Sequence, residues 1–335
     1  STSWPRSRRT GQSSRFYDIT AWSLPLTFRV QAWSLRSLPA GLEDISWASV
    51  RAPAPARATF AYAFAPGSEA SLRLLSALLA DSLRVRLAQR AFTVGTASFP
   101  HGAFLVPVAA NDSTVHARVA RAVATSGAQV TPLNTALATT GTDLGSNSVI
   151  PVRPVRVGLV GGQGISGNTY GFAWYVLDQR FGYPTLNVEA SSLAGALNEL
   201  DVVILPGAQG GALDAELGEG GRNALIAWVR NGGVLITIEG ATAWLAREQV
   251  GLTRLRPKVD SAGSGGMAPL PVNIPGAIVR VTADTLSPLM AGIRDLEFPV
   301  MVSGGFVLAT PRNLRPGEAV LRYAPAARVR LSGYL

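Results

Sequence analysis

The segment GGVLITIEGATAW, residues 232–244, has the composition of a strand that enters a tight turn and then a helix. Acyl-transfer enzymes often hold a Ser or Cys nucleophile on such a turn, beside a general base and amide donors for the oxyanion. Here Ile238 and Glu239 occupy the turn, and neither is a nucleophile of that kind. We therefore predict a nucleophile elbow without its nucleophile. Glu239 could cap the helix predicted at 241–249, which we favour, or bind a cation.

A second motif is GQGISG, residues 162–167, which matches G-x-G-x-x-G between a predicted strand and a predicted helix. Glu189 stands at the end of the next strand, where dinucleotide-binding proteins hold a ribose hydroxyl. Glycine is frequent in this chain, with 35 residues, so a chance match is also expected. Because ligands of open α/β sheets bind beyond the carboxyl ends of the strands, the candidate ligand-binding residues are Gly162, Gly164, Ser166, Gly167, Glu189, Gly207 and Glu239.

Histidine and cysteine chemistry is restricted by the sequence. The chain has no cysteine, and its two histidines, His101 and His116, lie in the first half. Neither belongs to a His-x-x-Glu zinc motif, because Phe104 and Val119 stand three residues after them. We predict no catalytic residue, no metal site and no cofactor in this chain. A hydrolase that uses Ser166 or Ser303 in another geometry is a weaker alternative.

The first half shows two successive β-α-β patterns. Strands are predicted at 58–65, 83–87, 102–109 and 129–133, with one helix after Ser68 and one after Asp112 or Ser113. The first helix would bury Leu72, Leu75 and Leu79. The second would bury Val115, Val119 and Val123 and end at Gly127. We predict a small split-βαβ α+β domain over 53–140, followed by a linker over 134–154.

The second half alternates apolar strands with helices, which is typical of a parallel sheet covered on both faces. Strands are predicted at 156–160, 184–188, 201–206 and 234–238, and helices at 168–181, 193–200, 223–230 and 241–249. We predict a doubly wound, flavodoxin-like α/β domain over about 154–305. A Gly/Pro-rich loop at 261–276 and strands at 277–282, 300–309 and 319–323 extend this region to residue 335.

Composition excludes several classes of protein. With 47% hydrophobic and 15% charged residues among 335, the chain is expected to be globular. The formal charge is +9, but the arginines are scattered beyond Arg6, Arg8 and Arg9, which argues against a nucleic-acid partner. No apolar run approaches the roughly 20 residues of a membrane span. The start at Ser1, without an apolar leader in 1–15, leads us to expect an excised or processed piece.

Six segments carry a resemblance to known families. FYDITAWSLPLTFRVQAW (16–33), FPHGAFLVPVA (99–109), TDLGSNSVIPVR (142–153) and YGFAWYVLDQRFGYPT (170–185) resemble the C-terminal region of large bacterial zinc carboxypeptidases of the carboxypeptidase A-like metallopeptidase family. DVVILPGAQGG (201–211) and GGVLITIEGA (232–241) resemble the second conserved loop and the elbow of class I glutamine amidotransferase-like domains. Glu239 stands where those enzymes have Cys.

This resemblance implies a parent protein that is a secreted or periplasmic zinc metallocarboxypeptidase, with the zinc in a peptidase domain outside this chain. Residues 1–52 would pack on that domain, with Tyr17, Trp22, Phe28 and Trp33 as the docking surface. The implied function is a non-catalytic accessory region that is inactive by itself. The alternative is an independent small-molecule or dinucleotide-binding module that uses the 162–167 loop and Glu189.

Overall fold

The computed structural model describes residues 23–44, 53–258, 274–293, 295–304, 307–309, 311–315 and 317–334. Tyr17, Trp22 and residues 261–273 of the predicted Gly/Pro-rich loop lie outside these residues. The described chain is a mixed α/β structure with several sheets, as predicted at that level. In the part of the chain that is described, no helix is long and apolar enough to cross a membrane.

The first half contains a five-stranded antiparallel sheet with two helices against one face. Its strands run in the order β6-β1-β5-β2-β8. Because each β-α-β unit leaves a gap that a strand of the other unit fills, the two units interleave in the manner of a split-βαβ layer. The elements up to this point are α1 (Leu24–Phe28), β1 (Ala61–Phe64), α2 (Glu69–Ala80), β2 (Val85–Ala88), β3 (Phe92–Val94), β4 (Ala97–Phe99), β5 (Phe104–Pro107), α3 (Val115–Ser126), β6 (Thr131–Leu133), β7 (Thr140–Gly141) and β8 (Val149–Val152).

Helices α2 and α3 are fixed by their ends and by their apolar faces. Ser68 caps α2 by accepting a hydrogen bond from Ser71 N at 3.0 Å, as predicted. Gly127 ends α3 in the left-handed conformation, and the predicted Val115, Val119 and Val123 face is buried.

The face predicted for α2 is displaced. Leu74 and Leu78 are the fully buried leucines, whereas Leu72, Leu75 and Leu79 are only partly buried. Because α2 packs on both the sheet and α3, its most buried side chains are those that face the sheet. The spacing of apolar residues within α2 does not by itself show which of them face the sheet.

Residues 134–154 are not a linker, so that prediction is wrong. Strand β8 extends the main sheet, pairing Val152 with Val85 and Val149 with Ala88. Strand β7 joins the unpredicted β3-β4 hairpin in a small three-stranded sheet. These strands are short, and their partners are distant in sequence, which explains why the local Thr, Gly, Ser and Pro composition did not reveal them.

A four-stranded parallel sheet forms the centre of the second half. Its order is β10-β9-β11-β12, and every neighbouring pair is parallel. The elements are β9 (Val157–Gly161), α4 (Gly167–Trp174), β10 (Leu186–Glu189), α5 (Leu193–Ala196), β11 (Val202–Leu205), α6 (Gly210–Arg230), β12 (Val234–Thr237) and α7 (Gly240–Leu245). Helix α4 continues into one π-helical turn, Tyr175–Arg180.

Helices cover both faces of this sheet, but unequally. On one face α5, α6 and α7 bury a large cluster that includes Val203, Leu213 and Trp244. On the other face α4 and the π-helical turn cover β9 and β11. Helix α6 begins 13 residues earlier than the predicted 223, with a break at Gly218, because its glycine-rich first part lacks the periodicity on which the prediction depended.

The α4 side of β12 is uncovered within the described residues. Val234 and Ile236 point to that side and are 51% and 44% exposed, whereas Leu235 packs in the opposite cluster. Large apolar side chains at an open sheet surface are typical of a contact region.

The C-terminal strands form a sheet of their own. Strand β14 is central, with β15 on one side and β17 and β18 on the other, all antiparallel. The predicted strand 300–309 is two strands in different sheets. The elements are β13 (Arg256–Pro257), β14 (Ile274–Ala283), β15 (Glu297–Gly304), β16 (Leu308–Ala309), β17 (Leu321–Tyr323) and β18 (Arg330–Tyr334).

Charged contacts between described residues join the regions. Glu69, at the start of α2, accepts from Arg180 of the π-helical turn, with Oε1 at 3.1 Å from Nε. Arg29, just after α1, pairs with Asp295 and lies over the Phe298 ring, with 5.1 Å between its Cζ and the ring centroid. These contacts hold α1 against the C-terminal sheet and α2 against the parallel-sheet region.

Candidate functional site

The loops after β9, β11 and β12 meet at the carboxyl edge of the parallel sheet. Ser166 N donates to Gly207 O at 2.6 Å, which joins the first two loops. Thr169 Oγ1 lies 2.8 Å from Glu239 Oε2, which joins the first and third. The structure therefore brings Ser166, Gly207 and Glu239 together, as expected for neighbouring parallel strands.

Glu239 occupies the turn between β12 and α7, in a backbone conformation that residues other than glycine rarely adopt. Its φ is 50° and its ψ is −120°. Such conformations cost about 1–3 kcal/mol and persist only where the surrounding structure imposes them. The next residue packs closely on the neighbouring loop, because a Cβ on Gly240 would overlap the carbonyl oxygen of Ala208. The turn is therefore a tight elbow, with a glutamate at its tip.

The Glu239 side chain does not cap α7, so the favoured prediction is wrong. It makes no capping hydrogen bond, although Glu239 is the residue before the helix. A capping residue has an extended backbone that directs its oxygen to the helix N–H groups, and the positive φ of Glu239 removes that direction. The carboxylate instead contacts Thr169, on a different element.

The Thr169 hydroxyl holds the Glu239 carboxylate, and the Ser166 hydroxyl lies next to that of Thr169. Thr169 is 7% exposed, and its single hydroxyl hydrogen goes to Glu239 Oε2, the charged acceptor. Ser166 Oγ lies 3.2 Å from Thr169 Oγ1 as a second acceptor for that hydroxyl, and it accepts from Thr169 N at 3.3 Å. Ser166 is thus the cap of α4 and lies beside the hydroxyl that holds Glu239.

The predicted ligand-binding residues fall into two separate cavities. The elbow cavity, of about 460 Å³, is lined by Gly164, Ile165, Ser166, Gly207, Ala208, Gln209, Glu239 and Gly240. The loop cavity, of about 310 Å³, is lined by Gly161, Gly162, Ile165, Gly167, Tyr170, Asn187, Val188 and Glu189. Ile165 lines both cavities, so the 162–167 loop is a wall between two clefts.

Glu189 lies directly against the glycine loop. A Cβ on Gly162 would overlap the Glu189 carboxylate, and the φ of Gly162 is 105°. In a dinucleotide site the pyrophosphate approaches this glycine while the acid stands back to hold the ribose. Here a phosphate at Gly162 would meet a negative charge, so this geometry does not favour a dinucleotide.

The two clefts are acidic and contain no basic side chain among their lining residues. Within the described ranges, neither Glu189 nor Glu239 forms an ion pair, whereas Glu69, Asp81, Asp214, Glu297 and Glu318 do. The hydrogen bonds from Arg254 and from the Arg315 N–H lower the pKa of Glu318 to about 2. The carboxyl edge of the parallel sheet thus presents uncompensated carboxylates.

The histidines lie elsewhere. His116 Nδ1 is 2.7 Å from the Tyr62 hydroxyl, between α3 and β1. His101 is in the loop between β4 and β5, and neither residue lines the two clefts. Ser303 is on β15, in the C-terminal sheet. Among the described residues, no group of three or more His, Cys, Asp or Glu side chains could hold a metal ion.

Sequence analysis missed Gln209 as a residue that lines the elbow cavity, and Thr169 as the partner of Glu239. Thr169 is the third residue of α4, a position at which a polar side chain usually faces solvent. Its burial depends on the Glu239 turn, 70 residues away. The only local indication of this role for Thr169 was its polar side chain at the start of a helix that follows a glycine loop.

Comparisons with known proteins add little to this geometry. No protein-family model matches the chain. No curated protein matches it either. Among solved structures, a Thermoplasma acidophilum protein described as part of a GMP synthase is similar, with 13% identity and a TM-score of 0.31 over 46% of this chain and 67% of that one. A likeness of this size defines neither the fold nor the function of this chain.

Proposed function

We propose that this chain is a non-catalytic accessory region of a zinc metallocarboxypeptidase-like protein. Its parallel-sheet region would be a flavodoxin-like, amidotransferase-like scaffold that lacks the nucleophile. The peptidase domain with its zinc, and the secreted or periplasmic location, belong to the proposed parent and come from the resemblance of the four segments 16–33, 99–109, 142–153 and 170–185.

The elbow carries the proposal. Glu239 occupies the strained turn where an acyl-transfer enzyme of this architecture would hold Cys or Ser. Its carboxylate is held by the Thr169 hydroxyl, and the Ser166 hydroxyl, which lines the same cavity, is engaged as a helix cap without a histidine beside it. A hydroxyl needs such a base to attack a carbonyl carbon. The geometry therefore supports binding or packing as the role of this region.

An exposed apolar segment supports the accessory role. Phe28 and Trp33 are 68% and 78% exposed, and other large apolar side chains of the same segment are exposed with them, namely Leu24, Val30, Leu35, Leu38 and Leu42. Exposed large apolar side chains concentrated in one segment are typical of sites of contact with another protein surface. Tyr17 and Trp22 of the predicted docking surface lie outside the described residues.

A labelling experiment tests the missing nucleophile. The wild-type chain, Glu239→Cys and the control Glu248→Cys would each be incubated with an electrophilic glutamine analogue. Mass spectrometry would then measure the covalent adduct on each protein. We expect no adduct on the wild type. We expect faster labelling of Glu239→Cys than of Glu248→Cys, because a thiol on a turn at a helix start is activated.

A covalent adduct on the wild-type chain would contradict the proposal. Peptide release by the wild-type chain that a chelator abolishes would contradict it equally, because peptidase activity would then reside in this chain. Equal labelling of the two cysteine variants would contradict the elbow assignment alone.

A further inference from the structure

We infer that the elbow cavity binds a small ligand through a guanidinium or primary ammonium group, with the Glu239 carboxylate as its acceptor. This inference goes beyond the accessory role, because it assigns the cleft a ligand class whether or not a peptidase domain is attached. It also replaces helix capping, which the structure excludes for this side chain.

The carboxylate is positioned and still has acceptor capacity. Oε2 is held by Thr169 at 2.8 Å, and Oε1 makes no hydrogen bond within the described part of the chain. Ser166 Oγ lies 3.2 Å from the same Thr169 hydroxyl. A carboxylate held by one oxygen is oriented before a ligand arrives, so less side-chain entropy is lost on binding.

The charges of the site select a cation. The cleft has one carboxylate and no basic lining residue, in a chain whose formal charge is +9. An anion would be repelled there. A divalent metal ion would find a single carboxylate where it requires several oxygen ligands. A guanidinium or ammonium N–H group can donate a hydrogen bond to Oε1 directly. Such charge-assisted hydrogen bonds are about twice as strong as neutral ones.

The remaining lining residues fit a small organic cation. Cavities of about 300–1,000 Å³ accommodate small molecules, and the elbow cavity is about 460 Å³. Apolar contact comes from Ile165 and Ala208, and a second polar contact from Gln209. The strained backbone of Glu239 is consistent with a functional constraint on this residue, since strain is concentrated at ligand sites.

The test is a titration of the full chain with butylguanidinium, butylammonium and the neutral analogue butylurea, followed by NMR of the backbone amides. We expect at least one cation to bind and to shift the Gly240 and Ser166 signals, while butylurea binds at least about 10-fold more weakly. Glu239→Gln should weaken cation binding about 10-fold, and the control Glu248→Gln should change it less than 2-fold.

Several outcomes would overturn the inference. The first is that neither cation binds with a dissociation constant below about 10 mM, and the second is that butylurea binds as tightly as the cations. The third is that Glu239→Gln binds the cations as tightly as the wild type. The fourth is that Glu189→Gln loses cation binding instead, which would assign the ligand to the loop cavity. If Glu239→Gln does not fold, the affinities of the wild type for the two cations and for butylurea, and their dependence on salt, decide the test. Cation binding must weaken between low and high salt, and binding that salt does not change would refute a charge-based site.

Discussion

The split-βαβ layer of the first half and the parallel-sheet region of the second half differ in how completely they are packed. In the first, all four residues of β1 are buried, and both helices cover the sheet. In the second, β12 has an open side and the elbow is strained. The first region therefore supplies stability, while the second carries the irregular features that ligand sites require.

Charge pairing distinguishes the carboxyl edge of the parallel sheet from other described parts of the chain. In the first region Asp81 is paired with Arg118 and Arg121, and the Arg118 hydrogen bond lowers its pKa. At the carboxyl edge of the parallel sheet, Glu189 and Glu239 have no such partner within the described residues. Paired surface charges need no ligand, whereas unpaired carboxylates in a cleft can accept one. The comparison thus separates a scaffold from a candidate site.

The largest effect is expected in the core of the first region. Leu74→Ala would remove a fully buried side chain and leave a cavity, at a cost of about 2–5 kcal/mol in the free energy of unfolding. Val234→Ala, on the open side of β12, should cost less than about 1 kcal/mol. Urea unfolding of both variants measures the difference, and equal costs would remove the contrast between the two regions.

Gly240→Ala should have the next largest effect. Its Cβ would overlap the carbonyl oxygen of Ala208, and backbone cannot move aside as a side chain can. We expect a loss of about 1–3 kcal/mol by urea unfolding. Gly220→Ala is the matched control, because a Cβ there meets no atom; similar costs for the two variants would show that the elbow is not tight.

Glu239→Gly tests whether the elbow is strained. Glycine adopts a positive φ freely, so the relief of strain should offset the lost hydrogen bond from Thr169. We expect a stability within about 1 kcal/mol of the wild type, together with loss of butylguanidinium binding. A destabilisation greater than about 2 kcal/mol would indicate that Glu239 serves the fold rather than a ligand.

Acid should weaken the C-terminal sheet region through Glu318. Its folded pKa of about 2 lies below the usual glutamate value of 4.5, so the stabilisation is present above pH 4.5 and is lost as the pH falls towards 2. Because this carboxyl is solvent-accessible, we expect a small effect. An NMR titration of the Glu318 carboxyl measures it, with Arg254→Gln as the variant that should raise the pKa.

The smallest effect on stability is expected on the exposed N-terminal segment. Phe28→Ser with Trp33→Ser should leave the free energy of unfolding within about 0.5 kcal/mol, because both side chains are already in solvent. The same changes should reduce concentration-dependent association of the isolated chain in analytical ultracentrifugation. Association that the double variant does not change would argue against this segment as a docking surface.

Much of the fold followed from local pattern. The capping Ser68, the buried Val115, Val119 and Val123 face and the stop at Gly127 are properties of single helices, and each was predicted. Strands β7 and β8 were missed because pairing energy, rather than their own composition, makes them strands. The start of α6 was missed because its glycines conceal a helix that packing stabilises.

The sequence by itself determined that Ser166, Glu189 and Glu239 reach the carboxyl edge of the parallel sheet, because strand ends and turns are encoded by local spacing and by glycine. It also determined that the elbow lacks Ser and Cys. Only the tertiary structure decided that the predicted residues form two clefts rather than one, and that Glu239 turns to Thr169 instead of capping α7. Those outcomes depend on contacts between residues up to 70 positions apart, which no local pattern contains.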